Sequence, residues 1–115
     1  MQIERLEKNS RRSRIVVHGD TIYLAGQVAD DRTLPIREQA RQAFANVDRM
    51  LATVGSDKSR ILSVTIWLKS IADVKVFNEE WDAWVDQENP PARCCGEVTM
   101  AQPDILVELI VVAGR

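Results

Sequence analysis

The sequence predicts an α+β fold, a mixed β-sheet with two helices on one face. Three observations lead there. Two stretches place apolar residues at steps of three and four, as amphipathic helices do. A hairpin signal precedes the first of them, and a β-rich run separates the two. Two more strand-like runs close the chain. Helices set between strands, with hairpins at one end, imply a mixed sheet whose helices share one side.

The elements follow in order. Gln2 to Leu6 is a candidate first strand. Ile15-Val16-Val17-His18, Gly19-Asp20 and Thr21-Ile22-Tyr23-Leu24-Ala25 read as a hairpin, with β-branched runs around a short turn. Gly26 ends the second strand and marks a close backbone approach. Ile36, Ala40, Ala43, Phe44, Val47, Leu51 and Val54 then share one helix face, with Arg37, Gln39, Arg41, Gln42 and Arg49 mostly off it. Thr33 is the expected N-cap, Pro35 fits the first turn and Gly55 suits the C′ position.

Ile61 to Leu68 has too few polar positions for a surface strand and reads as covered on both faces. Val74, Phe77, Trp81, Trp84 and Val85 form the stripe of a second helix, preceded by a capping-box-like Ser70 and Asp73. Asn89-Pro90-Pro91 stops any helix. Residues 92–99 and 105–113 read as the last two strands. No helix is left for the second face of the sheet, and the final strand is too apolar for water. An oligomer that buries this face is expected.

A chain of 115 residues fits one domain, 1–115, that buries roughly two-thirds of its unfolded surface. Hydrophobic residues at 45% and charged residues at 28% exclude a disordered chain. A net charge of -2 argues against a dedicated nucleic-acid binder. The basic cluster in residues 1–14 reads as a solvated edge strand and turn rather than an anion-binding patch. No apolar run approaches the ~20 residues of a membrane span, and Met1 to Arg5 shows no apolar signal-peptide core. The adjacent Cys94 and Cys95 make neither a disulfide framework nor a zinc site. They read as buried, strand-packed thiols in a reducing, cytoplasmic setting.

His18, the single histidine, falls at the hairpin tip and reads as a surface residue. Trp67, Trp81 and Trp84 could stack on bases, but Trp81 and Trp84 at helical spacing read as core. Arg93 and Glu108 remain, both charged residues inside strand-like segments. A lone charge there is costly, so each needs a partner or a ligand. A structural salt bridge and a functional pair fit the pattern equally. An Arg fork binds a carboxylate bidentately, and a Glu can position or deprotonate a water.

Pro91-Ala92-Arg93-Cys94-Cys95-Gly96-Glu97-Val98 resembles the hallmark of the RidA family, also called YjgF or L-PSP. Val107 to Ala113, carrying Glu108, resembles the apolar strand that follows it. Leu24-Ala25-Gly26-Gln27-Val28 is similar to the family's Ser-Gly-Gln segment, and Gln39 to Val47 to its first helix. Asn78 stands where the second helix often carries Asn. The likeness runs from about residue 12 to 115. The segment from Lys58 through Val85 looks closest to a short bacterial branch, the YoaB-like proteins.

The resemblance implies a chorismate-mutase-like chain in a homotrimer with an inner β-barrel and ligand clefts between subunits. It implies a deaminase without cofactor or metal that hydrolyses reactive enamines and imines of the 2-aminoacrylate type, giving a 2-keto acid and ammonia. Arg93 matches the carboxylate-binding arginine and Glu108 the residue that positions water. Cys95, Ala25, Gly26 and Asn78 match cleft positions. Two departures stand out. The family's Tyr before the hairpin is absent from Arg11-Arg12-Ser13-Arg14, and its Ser is Ala25. Arg12 or Arg14 as replacement anion contacts would favour a more acidic or bulkier substrate. The departures also suit a trimer that binds small carboxylates or 2-keto acids without turnover. An endoribonuclease, a label carried by part of the family, fits the net charge of -2 poorly.

Overall fold

The computed structural model describes residues 2–115. The strands are β1 (Ile3–Leu6), β2 (Ile15–His18), β3 (Thr21–Leu24), β4 (Ile61–Leu68), β5 (Ala92–Glu97) and β6 (Val107–Gly114). The helices are α1 (Ile36–Thr53) and α2 (Val74–Trp84). One six-stranded sheet runs in the order β1-β2-β3-β6-β4-β5. All neighbours are antiparallel except β4 and β5. Among the described residues, no helix is long and apolar enough to cross a membrane.

This topology explains why the helices share a side. β3 and β4 both run antiparallel to β6, so they are parallel to each other, with β6 inserted between them. The chain crosses from β3 to β4 through α1, then from β4 to β5 through α2, moving each time in the same direction along the sheet. Parallel crossovers are right-handed, so two steps in one direction place both helices on one face. β6 records the outcome. Val107, Leu109, Val111 and Ala113 are buried under the helices, while Glu108, Ile110 and Val112 alternate onto the open face.

The core lies between that sheet face and the helices. Ile15, Val17, Ile22, Leu24, Ile66, Leu68, Leu109 and Val111 meet Ala40, Ala43, Phe44, Val47 and Leu51 of α1 and Phe77 and Trp81 of α2. Trp84 stacks on Phe44 with ring centroids 4.4 Å apart and donates its indole N–H to Asp48. Both helical tryptophans therefore pack against the core, Trp81 inside it and Trp84 at its edge.

Several expectations need correction. β4 is covered on one face only, and Trp67 remains 37% exposed on the other. The reason is the shared side of the two crossovers. Thr33 does not cap α1: its N–H and hydroxyl donate to Asp31, and Pro35 occupies the N-cap without a side-chain bond. Ser70 accepts from Ala72 N–H, but it caps a 3₁₀ turn, Ile71–Asp73, that leads into α2. The last two strands are shorter or shifted, and β1 begins at Ile3. Gly55 does take the left-handed conformation at the end of α1, with φ +75°.

Gln39, placed off the apolar face of α1, is fully buried. Its amide nitrogen donates to the carbonyls of Arg32, Leu34 and Asp104, and its oxygen accepts from Leu106 N–H. One side chain thus ties the loop before α1 to the loop before β6. A buried amide is stable there because all of these bonds are made. Glu80 is buried too, held by Arg37 and Arg41 of α1, which keep its carboxyl below the ordinary range, Arg41 most strongly.

Candidate functional site

Glu108 stands on the open face of β6, the strand flanked by β3 and β4, in register with Trp67 of β4. Just beyond β3 the chain is pinned to β6. Gln27 N–H donates to the Leu109 carbonyl at 2.8 Å, and Leu109 N–H returns the bond to Gln27 at 2.9 Å. This bridge sets Gly26 against the Glu108 side chain. A Cβ at residue 26 would collide with Glu108 Oε2 and lie 2.9 Å from its Cδ, so only glycine fits beside this rotamer. Burial pushes the Glu108 carboxyl above its ordinary pKa.

Glu108 opens onto a cavity of about 330 Å³ lined by Arg12, Arg14, Ala25, Gly26, Gln27, Val28, Asp30 and Asn46. Asn46 of α1 holds one wall, donating to the Val28 carbonyl and to Asp30, both at 3.0 Å. Ala25 and Gly26, expected in the site, are therefore beside Glu108. Arg12 and Arg14 join them, although residues 1–14 read as a solvated edge. Gln27 and Asn46 fall in segments that resemble the family, but no site role was assigned to them or to Asp30 from the sequence. No periodicity or local spacing marks them, because they meet through a β-bridge and a helix packed from elsewhere.

Arg93 lies in a second place. It is on β5, an edge strand, beside Val64 of β4. Its guanidinium sits over the Trp81 ring, 4.9 Å from the centroid, and donates from Nη2 to Asn78 Oδ1 at 2.8 Å. The Asn78 bond and the indole face aim the fork while leaving its other N–H groups open. Cys95, two residues on, shares this side, and burial pushes its thiol up. A raised thiol is a packing group rather than a reactive thiolate. Cys94 corrects the expectation of two buried thiols. It is exposed on the open side of β5, beside Thr65.

The expected site thus divides. Glu108, Ala25 and Gly26 cluster at one cavity. Arg93, Asn78 and Cys95 cluster at the sheet edge against α2. Arg93 and Glu108 belong to opposite faces of the sheet, so no salt bridge joins them within a chain. Among the described residues, no group of His, Cys, Asp and Glu is arranged to hold a metal ion.

A mixed six-stranded sheet with both helices on one face, and a half-buried carboxylate on the other, defines a two-layer α+β protein. Solved structures agree. A protein from Pseudomonas aeruginosa superposes with a TM-score of 0.96 at 43% identity, covering 99% of both chains. A YjgF-family member from Neisseria meningitidis gives 0.97 at 35% identity, covering 100% of this chain and 96% of that one. A family profile described as Endoribonuclease L-PSP matches residues 2–114. The chain belongs to the RidA/YjgF/L-PSP family, in agreement with its YoaB-like features. It is 35% identical over 114 residues to the RutC family protein YoaB of Escherichia coli, covering 99% of each. A RutC family protein of Haemophilus influenzae is 36% identical over 117 residues, covering 98% of each.

Proposed function

We propose that the chain is the subunit of a homotrimer whose clefts, between neighbouring copies, hydrolyse reactive enamines and imines to 2-keto acids and ammonia. The observation that carries this reading is the separation of Arg93 and Glu108. Each is exposed to ligand on a different face, so a second copy must bring one to the other. The open face has the apolar character of an interface, with Val16, Ile110 and Val112 half-buried and Tyr23 47% exposed.

The chemistry follows from the two groups. The open N–H donors of Arg93 bind the substrate carboxylate as a fork, with Asn78 and Trp81 fixing their direction. Glu108 accepts a hydrogen bond from water and holds it near the imine carbon, so attack becomes effectively intramolecular. Water oxygen bonds to carbon as the C=N pair moves to nitrogen. One proton passes from the attacking water through the carboxylate to nitrogen, giving a carbinolamine; the remaining hydroxyl proton then follows by the same route as the C–N bond breaks and C=O forms. Ammonia leaves, and Glu108 is regenerated. Its raised pKa suits a group that takes up and returns a proton. No cofactor is needed, because the imine is already electrophilic.

The test is 2-keto acid formation from freshly generated imines, with semicarbazide trapping the unreacted imine. Acceleration by the wild type, lost in Arg93→Ala and strongly reduced in Glu108→Gln, is the expected result. No acceleration from a folded trimer would leave the second reading, a carboxylate-binding protein without turnover. Ala25 favours that reading, since a methyl group supplies no hydroxyl to the cavity beside Glu108.

A further inference from the structure

We propose that Arg12 and Arg14 form a second anion subsite in the Glu108 cavity, selecting substrates that carry a carboxylate on the side chain as well as at the reacting end. This rests on the Glu108 cavity being the reaction site, and it names the substrate class of that site.

Arg37 and Arg41 are committed to Glu80, Arg32 to Asp104 and Arg115 to Glu4. Arg93 is bonded to Asn78. Among the described residues Arg5, Arg11, Arg12, Arg14, Arg49, Arg60 and Arg93 make no ion pair, and of these Arg12 and Arg14 line the Glu108 cavity. Two acids share the lining, yet neither is matched to these arginines. Asp30 accepts from Asn46 instead. Glu108 carries only the effect of its own burial, with no offset from a guanidinium.

Their backbone is set in advance. Asn9 closes a tight turn: its Oδ1 accepts from Arg11 N–H at 2.8 Å and Arg12 N–H at 2.9 Å, and its own N–H donates to the Arg12 carbonyl. Arg14 N–H donates to the Leu6 carbonyl at 3.2 Å, and its carbonyl accepts from Ala25 N–H at 2.9 Å. That last bond ties Arg14 directly to the residue preceding Gly26. Arg12 and Arg14, two residues apart in the turn leading into β2, both line this cavity. Glu108 shares that lining with both. Two guanidiniums held on one wall can grip one carboxylate from both sides. A volume of about 330 Å³ is at the small end of ligand pockets, about 300–1,000 Å³, and suits a small dicarboxylate.

The experiment compares imines generated from glutamate and aspartate with those from alanine and leucine, using the full chain. Wild type is expected to favour the acidic imines by about tenfold or more in kcat/KM, the worth of one charge-assisted contact. In Arg12→Ala/Arg14→Ala that preference ratio falls toward one, and Arg12→Lys/Arg14→Lys restores part of it. A flat wild-type profile, or a double variant with an unchanged ratio, overturns the subsite. If no imine is turned over, the deaminase reading fails, and thermal unfolding decides the subsite by itself. Succinate and 2-oxoglutarate should then raise the Tm more than pyruvate does, and the double variant should erase that difference. Equal shifts for the three acids, or a shift with sulfate as large as that with succinate, would overturn it. Far-UV circular dichroism of each variant establishes that it is folded.

Discussion

Gly26 and Glu108 are fitted to one another across the junction of β3 and β6. All three atoms nearest a Cβ built at residue 26 belong to the Glu108 side chain. The bridge between Gln27 and Leu109 holds both backbones, so neither can retreat. The glycine is therefore a condition for the carboxylate's position. A double-mutant cycle checks this. Gly26→Ala should destabilise the wild type, yet cost much less when Glu108 is also Ala. A coupling of about 1 kcal/mol or more is expected, as for side chains in direct contact. Additive effects in urea unfolding would show that Glu108 simply rotates away.

The Glu108 carboxyl has its pKa raised by burial, so folding favours its protonated form. The native chain then binds more protons than the unfolded chain between the unfolded and folded pKa values. Stability falls as pH rises through that window, and the penalty persists above it. Glu108→Gln removes the charge. It should unfold at a higher Tm than wild type near neutral pH, with the gap closing below the ordinary carboxylate range. A gap that does not change with pH would contradict a desolvated carboxylate.

The placement of Arg93 and Glu108 on opposite faces makes a mixing prediction. Alone, Arg93→Ala should be inactive and Glu108→Gln strongly reduced. Unfolded and refolded together in equal amounts, they should regain about one quarter of wild-type activity, the statistical share of interfaces with one intact group from each copy. Recovery should be absent when the two variants are mixed without subunit exchange. No recovery after demonstrated exchange would mean the two residues do not cooperate across an interface.

Gln39 is the polar residue on which two loops depend. Gln39→Ala leaves the Leu106 N–H and the Arg32, Leu34 and Asp104 carbonyls without this partner in a partly buried setting. A loss of roughly 2–4 kcal/mol is expected from unmet hydrogen bonds together with the cavity left behind. Urea unfolding of the variant measures it. A loss below the range of a surface substitution would show that water replaces the amide.

Much of the framework was legible because it is written in local periodicity. The apolar stripes of α1 and α2 lie at helical spacing, and Ile15 to Leu24 carries its own turn. Thr33 misled because Asp31, two residues away, competes for the same hydroxyl and N–H. Gln39 misled because it joins the loop just before α1, near residues 32–34, to a distant one near residues 104–106.

The amino-acid sequence by itself determined the element order, the helix faces and the two charged strand residues that stand out as a candidate pair. Family membership was legible at Pro91 to Val98 and along the strand carrying Glu108. Tertiary structure alone decided that β6 enters between β3 and β4, and hence that Gly26 meets Glu108 while Arg12 and Arg14 reach the same hollow. It also decided that Arg93 and Glu108 face apart. The physical reason is common to all of these. Strand pairing and register join residues far apart in the chain, and a side chain's face changes with a shift of one residue.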